Sequence, residues 1–93
     1  MIDKTYCPRR KQGLVQKNLQ DGCVIQDKDQ EQLYTLNVTA ALVWEYCDGN
    51  HSIEKIAREI GSVCSVKSGE VFDGVLHIIA DFQQKDLLAS PSG

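Results

Sequence analysis

The fold is decided at residues 36–50, which read LNVTAALVWEYCDGN. Before this stretch the apolar residues follow strand-like spacing, and after it they follow helical spacing. Asn37 is suited to cap the first helix, because its side-chain oxygen accepts a hydrogen bond from an amide of the first turn. Ala40 and Trp44 recur at a four-residue step and mark one apolar face. Gly49 is predicted to take the left-handed conformation that ends this helix.

Two more helices are predicted downstream. Ser52 is suited to cap the second, at residues 53–60, in the way that Asn37 caps the first. The third is predicted at residues 70–84, with Ser68 as a candidate cap. Gly74 lies inside it, where glycine costs about 1 kcal/mol relative to alanine. Gly74 either permits close approach of another backbone or is a tolerated defect.

The third helix has an apolar arc of roughly 160°, which is wider than one packing interface needs. Its predicted central stripe consists of Val71, Val75, Ile78 and Phe82. A second apolar row beside it consists of Phe72, Leu76 and Ile79. The polar side carries His77, Asp81 and Gln84. The second row either meets a further partner or is covered by a small sheet.

That small sheet is predicted upstream of residue 36. Two strands, at residues 13–19 and 22–27, are joined by an Asp-Gly step, which is a hairpin signal because glycine takes the positive φ of the turn. A polar turn over residues 27–31 leads to a third strand at residues 32–36, which is rich in strand formers.

The third strand carries apolar groups on both faces. Leu33 and Thr35 point to one side, and Tyr34 and Leu36 point to the other. We expect this strand to lie at the edge of the sheet, where its unpaired backbone groups need protection or a partner.

The bulk composition predicts one folded domain and gives no indication that it binds polyanions. The chain has 93 residues, 42% of them hydrophobic and 25% charged, which argues against disorder. A net charge of −3 gives no electrostatic reason to expect DNA or an anionic membrane surface as a partner. No apolar run approaches the roughly 18 residues of a membrane span. Because the N-terminus lacks an apolar signal core, a cytoplasmic location is predicted.

The domain itself is predicted at residues 12–88. Residues 1–11 are predicted to form a flexible, solvated N-terminal arm, because Pro8 lacks an amide and residues 9–11 form a basic cluster. Residues 89–93 are predicted to be a flexible tail. Because small strand edges also pair between copies, both a monomer and a dimer stay open.

No active site, cofactor or metal site is predicted. Neither His51 nor His77 has a carboxylate or cysteine at a spacing that implies a catalytic dyad. The glycines do not form a phosphate-binding loop. The cysteines are dispersed without a Cys-x-x-Cys pair, so free thiols are expected rather than zinc ligands or disulfides. These cysteines are Cys7, Cys23, Cys47 and Cys64.

Three strands followed by three helices predict an α+β, winged-helix-like fold with a three-stranded antiparallel sheet. A DNA-binding helix needs Arg, Lys, Asn or Gln on its outer face. The last helix offers a set that is poorly suited to phosphates, namely Asp73, His77, Asp81, Gln84 and Lys85. A peptide-binding domain needs an open strand edge beside a groove. Peptide binding is the better match. A winged-helix DNA-binding transcriptional regulator is the alternative, and a small enzyme or metal protein is a third hypothesis.

A family resemblance supports the peptide-binding hypothesis. The chain has the pattern L-N-x-T-A-x-x-x-W-x-x-x-D-G at residues 36–49, S-I-x-x-I-A at 52–57 and K-D-L-L at 85–88. This pattern resembles the PqqD-like family, the pyrroloquinoline quinone biosynthesis protein D group and related recognition elements for precursors of ribosomally synthesised, modified peptides (RiPPs). The resemblance covers residues 12–88 and implies a non-catalytic peptide chaperone of natural product biosynthesis.

The resemblance also implies a binding mode. The precursor's leader would add as an antiparallel strand to the third strand, beside the third helix, and pass to a maturation enzyme, either a radical SAM enzyme or a leader peptidase. By analogy the third strand supplies backbone pairing and flanking contacts through Leu33, Tyr34, Thr35 and Leu36. The third helix would line the cleft with Phe72, Asp73, Leu76, Ile79, Ala80 and Gln83. Quinone-cofactor, lasso-peptide and other pathways all stay open.

Overall fold

The computed structural model describes residues 5–64 and 68–89. Three strands precede three helices, as the sequence predicts. They are β1 (Leu14–Leu19), β2 (Gly22–Asp27), β3 (Gln32–Asn37), α1 (Val38–Glu45), α2 (Ile53–Cys64) and α3 (Ser68–Gln84). The predicted α+β fold class is confirmed.

The sheet is an antiparallel meander in the order β1-β2-β3. The β1–β2 hairpin turns through two residues, and its closing pair is Leu19 opposite Gly22. Gly22 has a φ of 141°, and a Cβ at this position would overlap the carbonyl oxygen of Leu36. Only glycine therefore fits this turn. Because β3 pairs only with β2 among the described strands, it lies at a sheet edge, as predicted.

The first helix is shorter than predicted. It ends at Glu45, with Tyr46 as its C-cap. Gly49 has a left-handed φ of 83°, but it lies in the following turn and does not end the helix. The physical reason is a distant side chain: Arg10 donates from Nη1 to the carbonyl oxygens of Trp44 (3.1 Å) and Glu45 (3.4 Å). These bonds satisfy carbonyl groups that have no partner within the helix.

Two of the three predicted N-caps, Asn37 and Ser52, are present. Asn37 accepts a hydrogen bond at Oδ1 from the amide of Ala40, at 2.9 Å. Ser52 accepts one at Oγ from the amide of Lys55, at 3.1 Å. Local sequence was sufficient here because a cap bonds to a residue only three positions away.

The other two helices are longer than predicted. α2 continues past residue 60 to Cys64, through the buried Gly61. One glycine costs about 1 kcal/mol in a helix, which is too little to end one whose preceding turn is packed. α3 begins at Ser68, two residues before the predicted start. The side chain of Ser68, and so its role as a cap, lies outside the described residues.

The N-terminal segment packs against the domain over its described part. The carbonyl of Pro8 accepts a hydrogen bond from the amide of Gly49 (2.9 Å), and the amide of Lys11 donates to the carbonyl of Leu87 (3.0 Å). Pro8 is fully buried. The prediction of a solvated arm is therefore wrong for residues 6–11, because their backbone groups find partners in the α1–α2 turn and after α3.

The predictions for the chain ends and for the domain boundaries are not tested by the described residues. Residues 1–4 and 90–93 lie outside the described residues, so the outer arm and most of the predicted tail are untested. The boundaries at residues 11 and 88 stay predictions.

The core lies between the inner face of the sheet and the helices. The rings of Trp44 and Phe82 meet edge to face, with centroids 5.2 Å apart, a contact worth about 0.5–1.5 kcal/mol beyond burial. The indole N–H of Trp44 donates to Oε1 of Gln16 on β1, at 3.0 Å. The buried apolar set comprises Cys23, Ile25, Leu36, Val43, Trp44, Cys47, Ile53, Ile56, Ala57, Ile60, Val75, Ile79, Phe82, Leu87 and Leu88.

Candidate functional site

The open edge of β3 has a defined set of available backbone groups. In a two-residue hairpin the closing pair is hydrogen-bonded, and bonded and non-bonded pairs then alternate along the ladder. Starting from the Leu19–Gly22 pair, this register directs the backbone groups of Tyr34 and Leu36 toward β2. The N–H and C=O groups of Leu33 and Thr35 point to the open edge. These two residues are the ones that can pair with an added strand.

A groove of about 400 Å³ lies between this edge and α3. It is open to solvent on one side, and its lining combines apolar and polar side chains. Its lining residues are Thr35, Leu36, Asn37, Thr39, Ala40, His77, Ile78, Asp81 and Lys85.

The α3 wall of the groove carries one cation close to one carboxylate. Lys85 follows the helix directly, and its Nζ lies 2.8 Å from Oδ2 of Asp81. The same ammonium lies 5.6 Å from the centroid of the Tyr34 ring on β3. His77, one turn before Asp81, has its Nδ1 3.0 Å from the carbonyl oxygen of Asp73. The side chain of Lys85 therefore reaches from α3 to β3 at one end of the groove.

The four β3 residues predicted from the sequence surround the open edge. Leu33 is 63% exposed on the outer face of the sheet, and Leu36 is 3% exposed at the base of the groove. Thr35 is exposed and lines the groove, and Tyr34 is half-buried beneath Lys85. The predicted alternation of faces in this strand is correct.

The predicted α3 contacts lie outside the lining of this groove, and their role as peptide contacts stays a prediction. None of Phe72, Asp73, Leu76, Ile79, Ala80 and Gln83 lines it. Ile79 is 0% exposed and belongs to the core. The fully buried stripe of α3 is Val75, Ile79 and Phe82, whereas Val71 and Ile78 of the predicted stripe are only half-buried.

This rotation of the helix explains which residues were missed. At about 100° per residue, His77, Ile78, Asp81 and Lys85 lie on one side of the buried stripe, and Phe72, Leu76 and Gln83 lie on the other. The missed signal was the row His77–Asp81–Lys85, whose four-residue spacing places three titratable groups on one flank. In the sequence pattern, the first two of them belong to the polar side of the predicted helix.

The turn between α1 and α2 contains a histidine–carboxylate pair that the spacing did not predict. Nδ1 of His51 lies 2.9 Å from Oδ1 of Asp48, which also accepts a hydrogen bond from the amide of Asn50 at 2.8 Å. The bond to His51, followed by the bond from Asn50, lowers the pKa of the Asp48 carboxyl. The neighbouring Cys47 is buried, and burial raises the pKa of its thiol to about 12. The pair therefore braces a turn, and the neighbouring thiol is buried and held in its protonated form.

Two absences among the described residues bear on the class of site. In residues 5–64 and 68–89, no three His, Cys, Asp or Glu side chains converge in a way that would hold a metal ion. Over the same residues, no helix has the length and apolar character required to span a membrane.

The fold and the groove define a small winged-helix-like α+β domain with an open strand edge beside a helix. The family model for coenzyme PQQ synthesis protein D (PqqD) matches residues 22–88. The chain therefore belongs to the PqqD family, which confirms the resemblance seen in its sequence motifs.

Solved structures share this fold at low sequence identity. The PqqD truncation of Methylobacterium extorquens PqqCD, a stand-alone RiPP recognition element, has a TM-score of 0.81 and 18% identity, covering 97% of this chain and 96% of its own. TbiB1 in complex with the TbiA(beta) leader peptide has a TM-score of 0.79 and 17% identity, covering 88% and 95%. Lasso peptide synthetase B1, complexed with the leader peptide, has a TM-score of 0.79 and 18% identity, covering 90% and 99%. No curated protein sequence matches the chain.

Proposed function

We propose that this chain is a peptide chaperone that binds the leader of a RiPP precursor as an added antiparallel strand on β3 and presents it to a maturation enzyme. The observation that carries the proposal is the free backbone edge at Leu33 and Thr35 beside a groove walled by α3. Strand addition uses such an edge for affinity and the adjacent pockets for specificity. The leader peptides bound by TbiB1 and by lasso peptide synthetase B1 support the proposal.

The proposed contact surface keeps the β3 residues and replaces the α3 residues predicted from the sequence. Leu33 and Thr35 pair with the leader's backbone, and Tyr34 and Leu36 contact its side chains. The α3 wall is supplied by His77, Ile78, Asp81 and Lys85.

The proposal assigns no catalysis, cofactor or nucleic acid to this chain. A radical SAM enzyme or a leader peptidase is the proposed partner, and a cytoplasmic location stays a prediction. The DNA-binding alternative gains no support from α2, because its cations Lys55 and Arg58 are balanced there by Glu54 and Glu59. A DNA-binding face needs an excess of positive charge to contact phosphates.

An amide chemical-shift titration with leader peptides from neighbouring reading frames tests the function. We expect shifts clustered on residues 33–37 and along residues 77–85. If no such peptide causes shifts, but duplex DNA shifts the amides of α2 or α3, the chain is a regulator and the proposal is wrong.

Proline substitution tests the strand-addition mode separately. Thr35→Pro removes an amide that faces the open edge and leaves the β2–β3 bonds in place, and edge strands tolerate proline. We expect peptide affinity to fall about tenfold or more, since a backbone hydrogen bond contributes about 1 kcal/mol and the ring obstructs the approaching strand. Asn18→Pro, at a matching open-edge position of β1, is the control and should leave affinity unchanged. Equal losses in both variants would exclude addition at β3.

A further inference from the structure

An added strand on β3 presents alternate side chains to the groove. Its residues opposite Leu33 and Thr35 exchange backbone hydrogen bonds and direct their side chains to the outer face of the sheet. Its residues opposite Tyr34 and Leu36 direct their side chains to the groove face. In an antiparallel strand, the residue opposite Leu36 comes two positions before the residue opposite Tyr34.

The two groove positions have different surroundings. The position at Leu36 adjoins the apolar side chains of the groove lining, which are Ala40 and Ile78. The position at Tyr34 adjoins Lys85, whose ammonium lies over the Tyr34 ring. Ile78 and Lys85 are seven residues apart, which is about 10 Å along a helix. The groove therefore has one end where apolar side chains are flanked by Asn37, Thr39 and His77, and another, charged end that carries Lys85.

The charged end has capacity for a carboxylate. A lysine ammonium has three donors, and the contact at 2.8 Å to Asp81 occupies one of them. Elsewhere in this molecule one lysine bridges two carboxylates: Nζ of Lys11 lies 3.0 Å from Oδ2 of Asp86 and 3.6 Å from Oδ2 of Asp27. A basic leader residue at this end would have to share the Asp81 carboxylate with the Lys85 ammonium, which lies 2.8 Å from it.

We infer that this groove selects leaders in which a large apolar residue is followed, two positions later, by an aspartate or glutamate, and that Lys85 determines the acidic preference. The inference rests on the proposed function and adds the chemistry of the leader to it. The apolar residue packs on Leu36, Ala40 and Ile78. The carboxylate shares the Lys85 ammonium with Asp81.

Selection from a displayed random-peptide library tests the inference without a known leader. The immobilised proteins are the unmodified chain, Lys85→Gln, and Lys17→Gln as the control, since Lys17 is exposed on β1 and does not line the groove. We expect peptides with the apolar-x-acidic pattern from the unmodified chain and from Lys17→Gln. Lys85→Gln should retain the apolar preference and lose the acidic one. Asp81→Asn, which removes the competing carboxylate, should strengthen the acidic preference.

A single enriched peptide then allows a double-mutant cycle, in which peptide affinity is measured with the acidic residue and Lys85 changed separately and together. Changing its acidic residue to the amide should weaken binding to the unmodified chain about five- to tenfold, as for a charge-assisted contact, and should leave binding to Lys85→Gln unchanged. Circular dichroism confirms that each variant is folded. Three outcomes would overturn the inference but not the proposed function. The enriched peptides could lack the acidic residue, they could carry it before the apolar residue, or they could show the same acidic preference on Lys85→Gln. Absence of any enriched peptide overturns the proposed function itself.

Discussion

Two adjacent isoleucines of α3 have opposite surroundings. Ile79 is fully buried in the core, and Ile78 is half-buried in the wall of the groove. The two side chains differ by only about 100° around the helix axis. The site therefore depends on the rotation of one helix, because a change of one residue in its phase would exchange a core residue for a contact residue.

The largest expected effect distinguishes these two residues directly. Ile79→Ala leaves a cavity in the core and should lower the free energy of unfolding by about 2–5 kcal/mol. Ile78→Ala should lower it less, because that side chain already meets solvent, and should weaken peptide binding in the folded protein. Urea denaturation followed by the fluorescence of the single tryptophan, Trp44, measures the first quantity, and a binding titration measures the second. Equal losses of stability would remove the distinction between the two flanks.

A smaller loss of stability is expected when the ion pairs of Lys11 are removed. Lys11 lies between Asp86, just after α3, and Asp27, at the end of β2. Asp27 is 2% exposed, and its Oδ2 has no hydrogen-bond partner in the described part of the chain. Lys11→Met therefore leaves a buried carboxylate without its cation. Its melting temperature should fall below that of a Lys17→Met control.

A double substitution shows whether the unpaired carboxylate causes this loss. Lys11→Met combined with Asp27→Asn should recover part of the melting temperature, because the buried charge is then absent. If the double variant is no more stable than Lys11→Met alone, the contact does not act through Asp27.

One position of α3, on the same side of the helix as Ile78, should increase stability when it is substituted. Gly74 lies one turn before Ile78, and an added Cβ would meet no described heavy atom within 4 Å. Of the two explanations left open by the sequence, this favours a tolerated defect. Gly74→Ala should raise the free energy of unfolding by about 1 kcal/mol, measured by urea denaturation. A loss of peptide affinity in this variant would instead show that a bound backbone passes close to Gly74.

The smallest effect concerns pH. The hydrogen bond from Lys11 lowers the pKa of the Asp86 carboxyl. The hydrogen bond to His51 lowers the pKa of the Asp48 carboxyl. A lowered folded-state pKa contributes stability above the ordinary carboxyl value of about 4, and this stability is lost as the pH falls through the folded pKa. The bond to Asp86 raises the pKa of Lys11, whose contribution is lost only as the pH rises through that raised value.

Melting temperature against pH measures these contributions. These three groups should leave the melting temperature unchanged between about pH 5 and 9 and should lower it below about pH 4. Asp86→Asn should reduce the acid-side slope, whereas Asp21→Asn, in the β1–β2 turn, should not. The same slope in both variants would show that the Lys11–Asp86 contact does not contribute to acid stability.

The features predicted correctly depend on neighbouring residues. Asn37 and Ser52 cap helices through amides three positions away. The alternation of Leu33 and Thr35 with Tyr34 and Leu36 follows from the two-residue period of a strand. The motif at residues 36–49 was sufficient for the family, which its match over residues 22–88 confirms.

Most of the features that were missed depend on distant contacts. The end of α1 is set by Arg10, and the packing of the N-terminal segment by partners such as Gly49 and Leu87. The rotation of α3 could not be predicted because its apolar arc is wide enough for several orientations, and only packing against the sheet and the other helices selects one. The Asp48–His51 pair is close in sequence, but the turn geometry brings its atoms together.

The order of elements and the Asn37 and Ser52 caps follow from short-range periodicity and local hydrogen bonds, and the family follows from the motif at residues 36–49. The flank of α3 that faces the open edge of β3, and the approach of Lys85 to Tyr34 across the groove, depend on the tertiary structure. The physical reason is that helix rotation is set by the combined packing of residues far apart in the chain, and hydrophobic burial has no direction of its own until those partners are in place.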